Sequence, residues 1–568
     1  MTRTAIATAL AVSLWTGPAA AQLVPDADDP LATYPAPAYS PYAGRDFPER
    51  PLWGEMHLHT ELSMDAGGFG NRVSPRDAYR AARGEEITTS SGQRFRLSRP
   101  FDWIVIADHS DGMGFINDVL AAAPSVTRFE QGARWSQAFR AGGEEAVNAT
   151  LDLITTFSQG EINEDMLAAY SPGARRYATI WDDVIDAAEE FNDPGVFTTL
   201  IGFEWTSLVA GNNLHRNVIF RDGPDRVRQV VPYTTQAPIG STDPLDLYRY
   251  LENYEERTNG AVLATAHNGN LSNGLMFPVD AQYTGRAIDE TYVQQRAKWE
   301  PVYETTQIKG DGEAHPLLSP DDAFADFGTW DVGNLDLSEA KTPEMLEHEY
   351  AREALKNGLL LEERFGTNPY KFGLYGSTDS HTSLPTAQDD NFFGKHAGYE
   401  PSPERLTHAF MENENGVLYS WQQLASGLTA VYATENTRQA VWDAIARKEI
   451  YGTTGPRITV RFFGGWDYTD ADIATRQPVF VGYDKGVPMG GDLPPAFEGS
   501  NAPTFMVYAL RDSQGANLDG IQIVKGWLDS DGETEERVYD VAWSDGRERE
   551  ADGVLPAVGN TVDVASAS

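Results

Sequence analysis

Short apolar runs alternate along this sequence with stretches of helical pattern, and no other feature limits the possible folds as much. The run from Phe101 to Ala107 is rich in β-branched residues and fits a strand that is buried on both faces. The pattern from Pro244 to Thr258 is helical, and a further apolar run follows it at 261–266. Strands that alternate with helices form a largely parallel sheet. We therefore predict an α/β fold with about seven strands before residue 380.

Residues of the kinds that bind metals stand at the ends of these predicted strands. His57 and His59 are two positions apart, and alternate residues of a strand point to the same side, so both imidazoles would face one point. The carboxyl ends of strands are where a TIM-like β/α barrel places its chemistry. The strand-end residues are His57, His59, Asp65, Asp108, His109, Glu204, His215, His267, Asp379 and His381. The histidines interpreted as ordinary surface or core residues are His315, His348, His396 and His408.

The mixture of ligand types indicates which ions such a cluster would hold. Imidazole and carboxylate together favour Zn, Mn or Fe, whereas sites made only of oxygen favour Mg or Ca. The two oxygens of a carboxylate such as Glu204 can bridge two ions. Ions about 3.5–4 Å apart can hold a bridging hydroxide and clamp the attacked group, so no protein nucleophile is needed. The cluster predicts a metal-dependent hydrolase; a structural metal site and a buried histidine network are the alternatives.

The charge balance limits the classes of partner. The chain has 44 Lys and Arg residues against 84 Asp and Glu residues, a net charge of −40, which disfavours nucleic acid and anionic membranes. An anionic substrate would need local positive charge, which clustered metal ions could supply. The sequence contains no cysteine, which excludes disulfides, thiolate metal sites and a cysteine nucleophile. The expected partner is a small-molecule ester.

The beginning of the chain predicts export. Residues 1–21 have a charged start, a short apolar run and small residues before Gln22, the pattern of a cleaved secretory signal. No later stretch reaches the roughly 18 apolar residues that a membrane-spanning helix needs. We therefore expect a periplasmic or secreted protein without membrane insertion.

Four segments follow from the changes in pattern along the chain. Residues 1–21 are the signal, and residues 22–50, rich in Pro, Ala, Asp and Tyr, form an extended lead-in. The α/β barrel with its long insertions occupies residues 51–455, and the insertion at about 112–193 is expected to be mostly helical, as a wall or lid. After Gly455 the runs alternate apolar and polar residues, which predicts a C-terminal antiparallel β domain over 456–568.

The ordered set of strand-end residues resembles the polymerase-and-histidinol-phosphatase (PHP) superfamily. The resemblance covers about residues 50–455 and implies a distorted seven-stranded β/α barrel that binds two or three metals and hydrolyses phosphate esters. The stretch Tyr451-Gly-Thr-Thr-Gly-Pro-Arg457 is similar to the end of the carbaryl-hydrolase-like branch. The stretch Ile308-Lys-Gly-Asp311-Gly-Glu is similar to a large, mostly exported bacterial family of unknown function. Relatives continue past a segment like Asn560-Thr-Val-Asp563, so the C-terminal domain is expected to be truncated.

The resemblance also implies how the residues share the ions. The first ion would take His57, His59, Glu204 and Asp379. The second would share Glu204 and take His267, with His215 nearby. The third would take Asp65, His109 and His381. Many relatives have a histidine where this chain has Asp65, a difference expected to weaken the third ion or to favour Mn over Zn.

Four further residues are candidates for substrate binding or catalysis. Lys309 and Arg216 would bind a substrate anion, with ordinary surface charge or an ion pair as the alternative. Asp108 would orient a metal ligand or carry a proton, with a purely structural role as the alternative, and Trp205 would line the pocket beside Glu204. The predicted reaction is hydrolysis of phosphate mono- or diesters. Hydrolysis of carbamate or carboxylic esters is one alternative, and a non-catalytic metal- or carbohydrate-binding envelope protein is the other.

Overall fold

A curled, mixed β-sheet organises the molecule. The computed structural model describes residues 47–423, 426–499, 502–550 and 555–556. The described residues from Pro48 onwards form one compact unit. The strands of three or more residues are β1 (Leu52–Leu58), β2 (Trp103–Ile106), β3 (Thr198–Trp205), β4 (Arg216–Phe220), β5 (Val262–Ala266), β6 (Val302–Gln307), β7 (Gly373–Gly376), β8 (Ala409–Asn413), β9 (Gly416–Tyr419), β10 (Leu428–Val431), β11 (Ile450–Thr453), β12 (Thr459–Gly465), β13 (Gly486–Pro488), β14 (Thr504–Leu510), β15 (Gly520–Leu528) and β16 (Thr534–Trp543).

The central sheet is mixed rather than largely parallel. Its order is β6-β5-β4-β3-β2-β1-β10-β11, with β7 also paired to β6. The pairs β1–β2, β2–β3, β5–β6 and β6–β7 are parallel. Strand β4 is antiparallel to both of its neighbours, which the sequence did not predict. The reason is the short connection from β3, since a parallel strand would need a crossover of a dozen or more residues.

The sheet curls so that the segment after β7 reaches the end of β1. The amide of Asp379 donates to the carbonyl of His57 at 2.9 Å, and the amide of His59 donates to the carbonyl of Ser380 at 3.1 Å. The prediction of a barrel-like α/β domain is confirmed at this level. The number of seven strands and the TIM-like identity stay predictions.

Helices surround the sheet and fill the insertions. The α-helices are α1 (Met64–Gly68), α2 (Pro75–Ala82), α3 (Phe115–Leu120), α4 (Pro124–Thr127), α5 (Glu130–Ala141), α6 (Gly143–Ser158), α7 (Glu164–Leu167), α8 (Arg175–Phe191), α9 (Pro224–Val227), α10 (Pro244–Thr258), α11 (Glu290–Trp299), α12 (Ala351–Phe365), α13 (Arg438–Ala446), α14 (Asp470–Ile473) and α15 (Pro478–Lys485). The 3-10 helices are Ala168–Tyr170, Gly269–Leu271, Pro343–His348, Asp389–Asn391 and Ser420–Gln422.

Helix α10 shows why the boundaries fall where they do. The side chain of Asp243 caps its first turn, Pro244 follows, and Asn259 ends it in the left-handed conformation.

One of the apolar cores fixes which end of the strands is open. Val441 and Ile445 of α13 share a core cluster with Leu52, Trp103 and Val302, which stand at the beginnings of β1, β2 and β6. Burial of these side chains closes the amino ends of the strands. The carboxyl ends therefore remain for the loops and insertions that carry the candidate ligands.

The remaining strands form separate antiparallel sheets. Strands β12, β13 and β14 form one sheet and β15 and β16 form a hairpin, which confirms antiparallel β-structure in the C-terminal part. The insertion at 112–193 is mostly helical, as predicted. The boundary at residue 456 stays a prediction, and the proposed signal at 1–21 lies outside the described residues. Within the described part of the chain, no helix has both the length and the apolar composition that crossing a membrane requires.

Candidate metal centre

The structure brings all nine predicted metal ligands together at the carboxyl ends of the strands. They form four overlapping groups, and within each group the possible ligand atoms lie within 4.8 Å of one another. The groups are His59, Asp65, His109 and His381; His57, Glu204 and His267; His57, His59 and Asp379; and His109, Glu204 and His215. All are buried except Asp65, which is partly exposed. That these residues hold ions stays a prediction, but their convergence is a property of the fold.

The carboxylate of Glu204 lies between two pairs of imidazoles. Its Oε1 is 2.6 Å from Nδ1 of His215 and 3.0 Å from Nε2 of His267. Its Oε2 is 3.2 Å from Nε2 of both His57 and His59. Burial would raise the pKa of Glu204, but the histidines around it outweigh burial and hold the pKa well below its usual range. Each oxygen of one ionised carboxylate thus faces its own pair of nitrogen ligands.

Asp379 faces the same pair of histidines from the other side. Its Oδ1 lies 3.1 Å from Nε2 of His59 and 3.5 Å from Nε2 of His57. Its backbone has a φ of +48°, an uncommon conformation for a residue with a side chain and one that clusters at functional sites. Burial would raise the pKa of Asp379, but Lys309 and Lys395 hold it well below the usual value. The carboxylate is therefore ionised and available to a cation.

A third group lies beside the other two. Oδ2 of Asp65 is 2.7 Å from Nε2 of His381 and 3.2 Å from Nε2 of His109. Nδ1 of His109 is 2.8 Å from the hydroxyl of Thr206, which lies 3.3 Å from the carbonyl of Glu204 and donates to it. Burial would lower the pKa of His109, but Asp65 and Glu204 outweigh burial and raise it to about 9.

A buried polar shell orients the histidines of the first strand. Both carboxylate oxygens of Glu304 lie near Nδ1 of His57, at 3.1 and 3.2 Å. Ser63 contacts Nδ1 of His59 at 2.8 Å, and its hydroxyl donates to Asp108. Carboxylates that accept from the far nitrogen of a metal-binding imidazole fix its tautomer and increase its basicity. The shell thus turns Nε2 of both histidines toward Glu204 and Asp379.

The donor set fits divalent ions of the Zn, Mn or Fe class. Each of the four groups combines imidazole nitrogens with at least one carboxylate oxygen, and these ions prefer such mixed ligands. In the described part of the chain, Nε2 of His215 and Nδ1 of His267 are buried without a hydrogen-bond partner. The opposite nitrogens of the two rings, Nδ1 of His215 and Nε2 of His267, face Glu204 and are the ones that would bind an ion.

A cavity with an empty volume of about 840 Å³ opens above this cluster. Its floor includes seven of the nine candidate ligands, all except His57 and His267, together with Lys309 and Lys395. The ammonium group of Lys309 contacts Oδ2 of Asp379, and that of Lys395 lies 2.9 Å from Oδ1. Burial would lower the pKa of Lys309, but Asp379 outweighs it and the pKa lies above its ordinary value. A cationic side chain therefore stands beside the candidate ions.

Three of the other predicted site residues do not reach the cavity. Arg216 is buried, and its Nε donates to Glu300 at 2.9 Å, which is the ion pair given as the alternative to substrate binding. Trp205 is fully buried and does not line the cavity, because successive residues of β3 point to opposite faces and Glu204 takes the inner one. Asp108 accepts hydrogen bonds from Thr60 and Ser63 and does not line the cavity.

Four residues of the site were missed in the sequence. Glu304 lies in a strand whose six residues are all buried, where a carboxylate needs a buried partner. Ser63 and Lys395 lie in irregular segments where sequence pattern indicates no role. His396, interpreted above as an ordinary histidine, lines the cavity with its ring between Phe69 and Phe410.

Comparisons with known proteins give a family but no activity. Residues 46–568 match the family described as "Protein of unknown function (DUF3604)". No curated protein matches the sequence. A solved two-domain protein from Bacteroides vulgatus ATCC 8482, described as containing a predicted PHP-like metal-dependent phosphoesterase, is similar over 86% of this chain and 95% of that chain, with 10% identity and a TM-score of 0.28. A likeness this slight carries no argument about the site. By the match over residues 46–568, the chain belongs to the DUF3604 family.

Proposed function

We propose that this protein is an exported, metal-dependent hydrolase of phosphate mono- or diesters, of the PHP type. The observation that carries the proposal is the position of Glu204, whose two oxygens face two pairs of imidazoles at the floor of a cavity. The order of the ligands along the chain, which resembles the PHP pattern, supports the same reaction. The predicted signal at residues 1–21 makes the periplasm or the medium the place of that reaction.

Two or three ions of the Zn, Mn or Fe class would be held by the overlapping groups. His57, His59, Glu204 and Asp379 would hold the first, and Glu204, His267 and His215 the second. Asp65, His109 and His381 would hold the third, with one carboxylate between two imidazoles. Bound there, the ions would supply an activated water and positive charge for the oxygens of the ester.

The chain's own residues have three tasks in this proposal. Glu204 and Asp379, both ionised, would hold the cations. Lys309 extends the positive floor of the cavity and would contact a non-bridging phosphate oxygen. Ser63, Asp108 and Glu304 hold the imidazole rings so that their lone pairs face the ions.

Hydrolysis of carbamate or carboxylic esters is a second candidate for the same site. Lys309 and Lys395 both pair with Asp379, so part of their charge is already neutralised. A neutral ester would need less positive charge at the floor than a phosphate dianion. The cavity also has apolar walls, which tolerate a neutral substrate.

Metal analysis combined with an assay panel tests the proposal. The full chain would be purified with Zn, Mn or Fe, its metal counted by mass spectrometry, and its turnover measured on nitrophenyl phosphate, bis-nitrophenyl phosphate, nitrophenyl acetate and a nitrophenyl carbamate. We expect two or three ions per chain, with Glu204→Gln losing at least one of them and more than about a hundredfold of the phosphoesterase activity. Glu412→Gln, at an exposed position of β8, is the matched control and should change neither quantity.

The outcomes separate the candidates. Turnover of the acetate or the carbamate alone would favour the second one. Bound metal without any turnover would favour a binding protein over an enzyme. No bound metal would contradict the proposal altogether.

A further inference from the structure

We infer that the substrate is an ester of a hydrophobic alcohol or phenol, whose apolar group occupies the cavity above the metal cluster. This inference rests on the proposed function and adds the class of the leaving group to it. It is carried by the contrast between the floor of the cavity and its walls. The floor is formed by charged and imidazole side chains, whereas the walls are apolar on several sides.

The walls come from three segments outside the central sheet. Helix α6 contributes Ile154 and Phe157, and the long connection after β6 contributes Trp330 and Leu335. The hairpin of β8 and β9 contributes Phe410, among others. Segments far apart in sequence thus present apolar side chains to one space, which scattered surface residues would not do.

These walls are packed and preformed. Trp330 belongs to a buried apolar cluster with Leu271, Leu337 and Leu418. On another side, the ring of His396 stacks on that of Phe410 with centroids 5.2 Å apart, and Phe69 lies 4.2 Å from His396. A preformed apolar wall binds an apolar group without the entropic cost of ordering side chains.

Most polar side chains that line the cavity outside the metal cluster already form hydrogen bonds with other protein groups. Both carboxylate oxygens of Asp111 accept from the amide of Thr235. The hydroxyl of Thr206 pairs with His109, as described above. The side-chain oxygen of Gln423 accepts from Tyr399 at 3.1 Å. The hydroxyl groups of a sugar or glycerol ester would therefore lose water and gain few hydrogen bonds, which costs binding.

The apolar walls and the charged floor belong to the same cavity. Ile154 and Phe410 line it together with Lys309 and Asp379. An ester whose phosphate group lies at the floor would therefore carry its apolar group against these walls.

A series of alkyl phosphates tests the inference on the metal-loaded full chain. Each methylene that enters an apolar wall should raise kcat/KM about fourfold, from methyl to hexyl phosphate. The most direct comparison is n-propyl phosphate with glycerol 3-phosphate, which share the carbon skeleton and differ in hydroxyl groups. We expect the propyl ester to be preferred at least tenfold. Equal rates for these two esters, or a flat series, would overturn the inference while leaving phosphoester hydrolysis in place.

A matched pair of variants on α6 localises the effect. Ile154→Asn places an amide in the wall and should reduce the gain per methylene. Leu151→Asn, at a similarly half-buried position that does not line the cavity, should leave the gain unchanged. An identical chain-length dependence in wild type and Ile154→Asn would contradict the assignment of the wall.

Binding of alkylphosphonates, measured by calorimetry, separates this inference from the proposed function. The carbon–phosphorus bond of a phosphonate is not an ester, so no turnover interferes, and the dependence of the affinity on chain length reports the wall. Affinity that rises with chain length, together with no turnover of any phosphate, would support the wall and overturn the proposed reaction. Affinity that is independent of chain length would overturn the inference.

Discussion

The hydroxyl oxygen of Ser63 lies 2.8 Å from Nδ1 of His59. The same hydroxyl donates its hydrogen to Oδ1 of Asp108, at 2.8 Å. Since a hydroxyl has one hydrogen, Ser63 must accept from His59, and Nδ1 is the protonated nitrogen. Nε2 of His59 therefore directs its lone pair toward Glu204 and Asp379, the arrangement that a cation needs. One serine thus sets the tautomer of a candidate ligand.

Replacement of Ser63 should weaken metal binding more than it weakens the fold. We expect Ser63→Ala to lower the affinity for the tightest ion by roughly 10–100-fold, because the imidazole loses the partner that fixes its orientation. Competition with a chromophoric chelator would measure the affinity. The control is Ser110→Ala, another buried serine, whose hydroxyl contacts Asp111. Equal affinities for the two variants would show that the tautomer is not set by Ser63.

Lys309 should matter for substrate and not for metal. Lys309→Met removes a cation at the floor, and we expect kcat/KM for a phosphate ester to fall roughly 10–100-fold, as for the loss of a charged hydrogen bond. The metal content should stay unchanged or rise, because Asp379 keeps Lys395 as a partner. Steady-state kinetics and mass spectrometry would measure both. Lys298→Met, which removes an exposed lysine beside Glu255, is the control, and kinetics alike in both variants would refute the role.

Arg216 should act on stability rather than on substrate binding. Its guanidinium and the carboxylate of Glu300 are both buried and 2.9 Å apart. Arg216→Met leaves Glu300 without one of its cations, so we expect a loss of about 3–5 kcal/mol in the free energy of unfolding. Denaturant titration would measure it. The double variant with Glu300→Gln should recover part of the loss, because the unpaired charge is gone; a double variant that is less stable still would contradict this account.

The contact between Arg99 and Asp512 should make stability depend on pH. Nη1 and Nη2 of Arg99 donate to the two carboxylate oxygens of Asp512, each at 2.7 Å, and hold its pKa below the ordinary value of 3.8. The folded protein thus favours the ionised form. Its contribution is complete above pH 3.8 and is lost as the pH falls toward the lowered pKa.

Asp512→Asn should therefore destabilise the protein at pH 7 by about 1–3 kcal/mol, and by less at lower pH. Unfolding of wild type and variant at a series of pH values would measure the difference. The control is Asp545→Asn, at an exposed position. A difference that is constant from pH 7 down to the acid limit of the fold would contradict the pKa argument.

The sequence was sufficient for the elements whose pattern is local. The helix from Pro244 to Thr258 was predicted with the boundaries that the structure has. The residues that cap it, Asp243 and Asn259, directly flank the helical pattern in the sequence. The antiparallel strands after residue 455 follow from their alternation of apolar and polar residues. The candidate ligands could be chosen from the sequence, because six of the ten histidines stand at or near the ends of predicted strands.

Other features depended on the lengths of connections and on distant partners. The antiparallel direction of β4 was not predicted, since that direction depends on the length of the short connection between Trp205 and Arg216. Which basic residue faces the cavity could not be predicted either. Arg216 turns to Glu300, which is 84 residues further along the chain, while Lys395, in an irregular segment, turns to Asp379.

The sequence by itself determined the chemical inventory of this protein: which nitrogen and oxygen ligands it has, on which strand ends they lie, and that no thiol takes part. The tertiary structure decided how the inventory is used, because the direction of a buried side chain is set by the partners that packing brings to it. Only the folded chain places Glu204 between four imidazoles, fixes the tautomer of His59 through Ser63, and assembles an apolar wall from three insertions.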